Sequence, residues 1–103
     1  MRVISRRRLR AFWELPGRKD AQGPLKAWLA EAGAAQWRSP NDIKQHYPRA
    51  SFVGDNRVVF DIGGNKYRLV VHVNYGIGFV LIKFLGTHAE YDLIDAATVG
   101  GGG

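Results

Sequence analysis

The side chains with the most chemical potential fall in one strand-like stretch. From Lys66 to Asn74 the residues alternate: Tyr67, Leu69, Val71 and Val73 form an apolar set, and Lys66, Arg68, Val70, His72 and Asn74 form the other. Successive residues of a strand face opposite ways. The second set therefore puts Lys66, Arg68, the His72 imidazole and the Asn74 amide on one face. Arg57 opens the preceding strand, and Lys83 stands among Phe79, Leu81 and Leu85 in the following one, opposite Val80, Ile82 and Phe84. A lysine flanked by apolar residues in mid-strand has to reach solvent or a partner. The open face of the sheet is expected to present Arg57, Lys66, Arg68, His72 and Lys83 together. Taken singly, such residues suit the wet side of any antiparallel sheet. Taken together, they repel one another, few acids share their strands, and the set points to a bound polyanion. Directly after them comes Gly86-Thr87-His88-Ala89-Glu90-Tyr91-Asp92.

A second basic feature, Arg6, Arg7, Arg8 and Arg10, lies on or beside the first helix. It has two readings: the polar face of an amphipathic helix, or a docking surface for the phosphates of ribosomal RNA. Other chemistries are absent. The histidines, His46, His72 and His88, lack a metal-ligand spacing, and no HExxH or carboxylate cluster accompanies them. Gly63-Gly64-Asn65-Lys66 lacks the length and the hydroxyl of a phosphate-binding loop. No serine stands on a strand-to-helix elbow. With no cysteine in the chain, disulfides, thiolate zinc sites and cysteine nucleophiles are excluded.

The elements that must position these residues are legible in the periodicity. Arg2 to Ile4 forms a short strand. Ser5 is placed as an N-cap, and Leu9, Phe12 and Trp13 make one apolar stripe of a helix that Pro16-Gly17 ends. Asp20 is placed to cap a second helix. Its stripe is Leu25, Trp28, Leu29 and Ala32, and it is expected to run to about Trp37. Gly33 weakens that helix by about 1 kcal/mol relative to alanine. Ser39-Pro40-Asn41-Asp42 starts a third, shorter helix with Pro40 at its first position, and Pro48 stops it. The period then changes. Ser51 to Val53, Val58 to Ile62, Tyr67 to Val73 and Phe79 to Leu85 are rich in β-branched and aromatic residues and are bounded by Gly, Asn and Asp turns. Gly63-Gly64-Asn65 and Tyr75-Gly76-Ile77-Gly78 join successive strands as hairpins. Helices followed by an antiparallel meander define an α+β domain, with the N-terminal helices packed on one face of a small antiparallel sheet.

A chain of 103 residues is one domain. The domain is expected to span residues 1–97, with 98–103 a flexible glycine-rich tail that buries nothing. The formal charge of +6 calls for an acidic partner: nucleic acid, an anionic membrane or an acidic protein. No apolar stretch approaches the roughly 18 residues that cross a bilayer, and the opening residues lack the apolar core of a signal peptide. A cytoplasmic protein without membrane contact is expected.

Three segments in this order, Gly54-Asp55-Asn56-Arg57-Val58-Val59-Phe60-Asp61-Ile62, Gly64-Asn65-Lys66-Tyr67-Arg68-Leu69 and Gly86-Thr87-His88-Ala89-Glu90-Tyr91-Asp92, resemble the HigB toxin family of the RelE superfamily. Ile4 to Trp13, Pro24-Leu25 with Trp28, and Trp37 with Asp42-Ile43-Lys44 fit as well, so the resemblance covers residues 2 to 96. It implies the compact RelE-like fold. It also implies an endoribonuclease that cleaves mRNA in the ribosomal A site, with no metal or other cofactor. The implied partners are mRNA and the ribosome, and a HigA-like helix-turn-helix antitoxin with which the otherwise monomeric toxin forms a hetero-oligomer. Metal-free cleavage of RNA uses the 2′-hydroxyl as nucleophile, so it needs a proton acceptor, a proton donor for the leaving 5′-oxygen, and cations on the phosphorane. On that implication Arg57, Lys66, Arg68 and Lys83 bind phosphate, with Arg68 the transition-state contact, and His72, Arg6, Arg7 and Arg8 extend the RNA surface. His88 is the candidate acid or base. Tyr91 stacks on a base or moves a proton, and Glu90 is a second base or orients His88. The competing reading is a silent module that binds RNA or the antitoxin through the same basic face, with His88 and Tyr91 only closing the sheet.

Overall fold

The computed structural model describes residues 1–101. The elements run β1 (Arg2–Ile4), α1 (Arg6–Trp13), a 3₁₀ turn (Lys19–Ala21), α2 (Gln22–Ala34), α3 (Pro40–His46), β2 (Ser51–Val53), β3 (Arg57–Ile62), β4 (Tyr67–Asn74), β5 (Phe79–Thr87) and α4 (His88–Tyr91). The sheet order is β1-β5-β4-β3-β2. The meander β2 to β5 is antiparallel, as the turn residues require, and β1 joins the free edge of β5 in parallel, which makes the sheet mixed.

The main core lies between the helices and one sheet face. The helical stripes deliver Leu9, Phe12, Leu25 and Trp28, and β4 delivers Tyr67, Leu69, Val71 and Val73, all buried. Ser39 accepts from the backbone N–H of Asp42 and Pro40 sits in the first turn, so α3 starts as its sequence directs.

Three local expectations are corrected. Ser5 does precede α1, but at φ 74° and with no side-chain cap bond, so it turns the chain out of β1 and does not cap the helix. Asp20 lies in the 3₁₀ turn and does not cap α2; its carboxylate accepts from the Tyr67 hydroxyl at 2.6 Å and from Lys66 Nζ. Helix α2 ends at Ala34, because Ala35 is already extended and Trp37 leaves the helical path to stack on Phe60 in the core.

The other face of the sheet is not open. A smaller apolar cluster of Val59, Val70 and Ala96, with Phe84, Tyr91 and Val99 packed against it, lies under α4 and the segment that follows. A bulge in β5 feeds this cluster. Val71 pairs with Ile82 but Val70 pairs with Phe84, which leaves Lys83 as the extra residue. Phe84 thereby changes sides relative to simple alternation and joins Val70, while Leu85 returns to the main core.

Candidate functional site

At one end of the sheet, β4 starts, β5 ends and α4 begins. Arg68 pairs across to Asp61 on β3 and to Gly86 on β5. Its guanidinium is held from two sides. Nε lies 3.3 Å from Asp61 Oδ1, Nη2 donates to Asn65 Oδ1 at 2.6 Å, and Nη1 donates to the Asn65 carbonyl at 3.2 Å. Asp61 is shared with the exposed Arg49, at 3.7 Å. A guanidinium fixed by a carboxylate and a turn amide presents its remaining N–H groups in a set direction.

His88 opens α4 two residues after Gly86, the strand partner of Arg68. Its backbone N–H donates to the Lys66 carbonyl at 3.1 Å, which ties the helix start to the β4 start. Its ring is half-exposed, with Nδ1 3.2 Å from Asp92 Oδ2 one turn later. Glu90 is engaged differently. Thr87 and Glu90 form a complete capping box: the Thr87 N–H donates to Glu90 Oε1 at 2.8 Å and the Glu90 N–H donates to Thr87 Oγ1 at 3.1 Å. Arg18, stacked over the Phe12 ring, lies 3.1 Å from the same Oε1. The Thr87 backbone N–H foremost, and Arg18 after it, hold the Glu90 carboxyl below the ordinary carboxylate range. These contacts favour a structural post for Glu90, and the carboxylate beside His88 is Asp92. Gly86 fits this corner because a Cβ there would lie 2.7 Å from Phe84 Cζ and 3.0 Å from Glu90 Oε1. Tyr91 is half-buried against the second cluster.

The remaining basic residues do not converge on one open face. Lys66 lies in the hairpin and binds Asp20 on the helical side, which raises the lysine pKa above its usual value. Arg57 and Lys83 are buried, at 1% and 7% exposure, beneath the C-terminal segment. His72, partner of Arg57 across β3–β4, has a buried Nδ1 without a hydrogen-bond partner among the described residues. The joint open presentation of Arg57, Lys66, Arg68, His72 and Lys83 is therefore corrected: the bulge and the terminal segment, neither visible as periodicity, cover part of it. On α1, Arg6 and Arg7 are exposed and line shallow grooves with Arg10 and Trp13. Arg8, also exposed and lining one of these grooves, reaches the bulge, donating to the carbonyls of Ile82 at 2.8 Å and Lys83 at 3.4 Å. Alternation did not reveal Asp61, Asn65, Asp92 or Arg18; the i, i+4 spacing of His88 and Asp92 was the one available signal.

Residues 21–94 match the family model of the HigB toxins, described as the RelE-like toxic component of a toxin–antitoxin system. The chain belongs to the HigB toxin family, and its α+β architecture is the RelE-like fold. No curated protein matches it. The matched span contains Arg68, His88, Asp92 and the buried cations, and leaves β1, α1 and the last segment outside. Membership makes the chain the toxic half of a toxin–antitoxin pair and implies an antitoxin partner. Among the described residues no helix is long and apolar enough to cross a membrane.

Proposed function

We propose that this toxin is an endoribonuclease that cuts mRNA during translation, at the ribosomal A site, by attack of a 2′-hydroxyl on the adjacent phosphodiester without a metal. The observation that carries the reading is that one end of the sheet holds both a guanidinium fixed by Asp61 and Asn65 and a half-exposed imidazole backed by Asp92. With Nδ1 turned to Asp92, the His88 Nε2 is left to exchange the proton. The 2′-oxygen bonds to phosphorus as it loses its proton, and the 5′-oxygen leaves as it gains one, giving a 2′,3′-cyclic phosphate and a 5′-hydroxyl. Arg68 donates to the non-bridging oxygens, whose charge grows in the phosphorane. Tyr91 stacks on a neighbouring base or relays a proton. Lys66, Arg6 and Arg7 contact backbone phosphates of the message or of ribosomal RNA. Such an enzyme works in the cytoplasm and is silenced by a HigA-like helix-turn-helix antitoxin.

The test is purified toxin on ribosomes programmed with a defined message, in chelator, with the same message naked as control. Cyclic-phosphate ends formed on the ribosome, and lost with His88→Ala and Arg68→Ala, support the proposal. Intact message with toxin still bound to ribosome or RNA would establish the silent binding module in its place.

A further inference from the structure

Among the described residues Arg57 and Lys83 are the buried cations, and their hydrogen bonds go to backbone carbonyls. Arg57 Nη1 donates to the carbonyl of Ala96 at 3.1 Å and to that of Val99, and Nη2 donates to Gly101. Lys83 Nζ donates to Gly100 at 3.4 Å. Arg57 Nε is buried without a hydrogen-bond partner among the described residues; Asp55 lies 3.8 Å away and is half-exposed. The buried His72 Nδ1 stands beside it, equally unpartnered. Two buried charges met mainly by carbonyls, with one half-exposed carboxylate at 3.8 Å from Arg57, and two orphaned nitrogens are a costly arrangement for a sheet face. The cover itself is slight: one turn from Asp95 to Val99, closed by the Val99 N–H to the Asp95 carbonyl at 2.9 Å, followed by glycines and resting on Val99 and Ala96.

We infer that residues 95–101 form a strap over a second phosphate-binding site made of Arg57, Lys83 and His72, and that an RNA strand reaching this site displaces the strap. The site continues the proposed active site. His72 lies four residues from Arg68 on the same strand and face, about 13 Å away, which is a stretch of a few nucleotides. A phosphate oxygen replacing a carbonyl sets an ionised acceptor opposite each ionised donor. The inference rests on the RNA-cleaving reading for the identity of its ligand.

The fold supplies a lever that leaves the cations untouched. Gly100 has φ +77°, and a Cβ there would lie 2.7 Å from the Lys83 carbonyl oxygen. Gly100→Val therefore lifts the strap, and Val99→Asn does so by a separate route, by withdrawing apolar packing. The full chain and both variants are titrated by fluorescence anisotropy with an uncleavable 2′-O-methyl RNA oligonucleotide over a range of salt. Circular dichroism confirms the fold, and faster exchange of the Val99 and Gly101 amides confirms release. Both variants are expected to bind roughly tenfold tighter, with a salt slope steeper by about 1.4, that of two more cations on single-stranded phosphate. Adding Lys83→Met to Gly100→Val should cancel most of the gain. Released variants that bind RNA as the parent does, or a gain indifferent to Lys83, overturn the inference, as does a gain for a polyglutamate peptide and not for RNA. Cleavage of an unmodified message on programmed ribosomes is followed in parallel. A binding gain without cleavage in any chain defeats the nuclease reading and leaves the strap standing, whereas cleavage with no gain does the reverse.

Discussion

The chemistry proposed for this toxin depends on two side chains and on the carboxylates behind them. Arg68→Ala should lower single-turnover cleavage on the ribosome by about 10²–10³, the loss seen when one oxyanion donor is removed. Arg68→Lys should recover little of it, because an ammonium cannot span Asp61 and Asn65 while facing the phosphate. His88→Ala should cost about 10²–10⁴. Asp92→Asn should retain the fold and lose part of that factor, since it leaves the ring without its charged partner. Glu90→Ala separates the roles of neighbours: it should reduce stability by about 1 kcal/mol, the typical worth of a cap, read as a lower midpoint in urea, with cleavage by the folded enzyme little changed. At this scale the sequence showed the reactive residue types but not their partners. Asp61 is brought to Arg68 by strand register, and the His88–Asp92 and Thr87–Glu90 pairings depend on a four-residue helix too short to leave a periodic signal.

The elements explain which residues could be placed in advance. Helical stripes and strand alternation located every long element, because each buries one face. Asp55 and Asn56, both at positive φ, close the β2–β3 hairpin at the Gly-Asp-Asn signal. The bulge at Lys83 defeated alternation, since an inserted residue shifts every later side chain to the other face. Arg8 and Gly86 keep that irregular end in place. Gly86→Ala drives a methyl into the Phe84 ring and should cost about 1–3 kcal/mol by overpacking, read as a lower melting temperature, and it should also reduce cleavage because α4 hangs from this point. Arg8→Ala strips the Ile82 and Lys83 carbonyls of their donor. It should destabilise the fold by about 1–3 kcal/mol, whereas Arg6→Ala and Arg7→Ala should leave stability nearly unchanged and weaken binding to ribosomes in a salt-dependent way.

Across the whole molecule, the helical layer and the sheet are joined at their rim by ionic contacts, and these set the pH range of the fold. Asp20 is held below its ordinary pKa first by the hydrogen bond from Lys66, then by that from Tyr67, and Glu90 is lowered chiefly by the Thr87 N–H. In acid the unfolded chain therefore binds protons that the native state refuses. The contribution of these groups is full above about pH 4.5 and is lost as the pH falls through their lowered values. Lys66 and Tyr67 are raised, both first by the hydrogen bond with Asp20. Their contribution is present below about pH 10 and is lost as the pH rises past their raised values. Asp20→Asn should flatten both arms of the stability–pH profile measured by urea unfolding; an unchanged profile would show that this bridge does not couple the layers. Net charge was legible from composition and pointed to a polyanionic partner, but its distribution was not, because the terminal segment removes Arg57 and Lys83 from the surface.

Cleavage of translated mRNA by Arg68 and His88 is tested by induced expression in a bacterial host of the full chain beside its His88→Ala and Arg68→Ala variants, with mRNA 5′-ends mapped soon after induction. A translation-dependent nuclease should give growth arrest and new 5′-hydroxyl ends at positions in frame with translated codons, absent from both variants at equal levels of folded protein. Growth arrest with an unchanged transcript pattern, or cuts that persist in both variants, would contradict it.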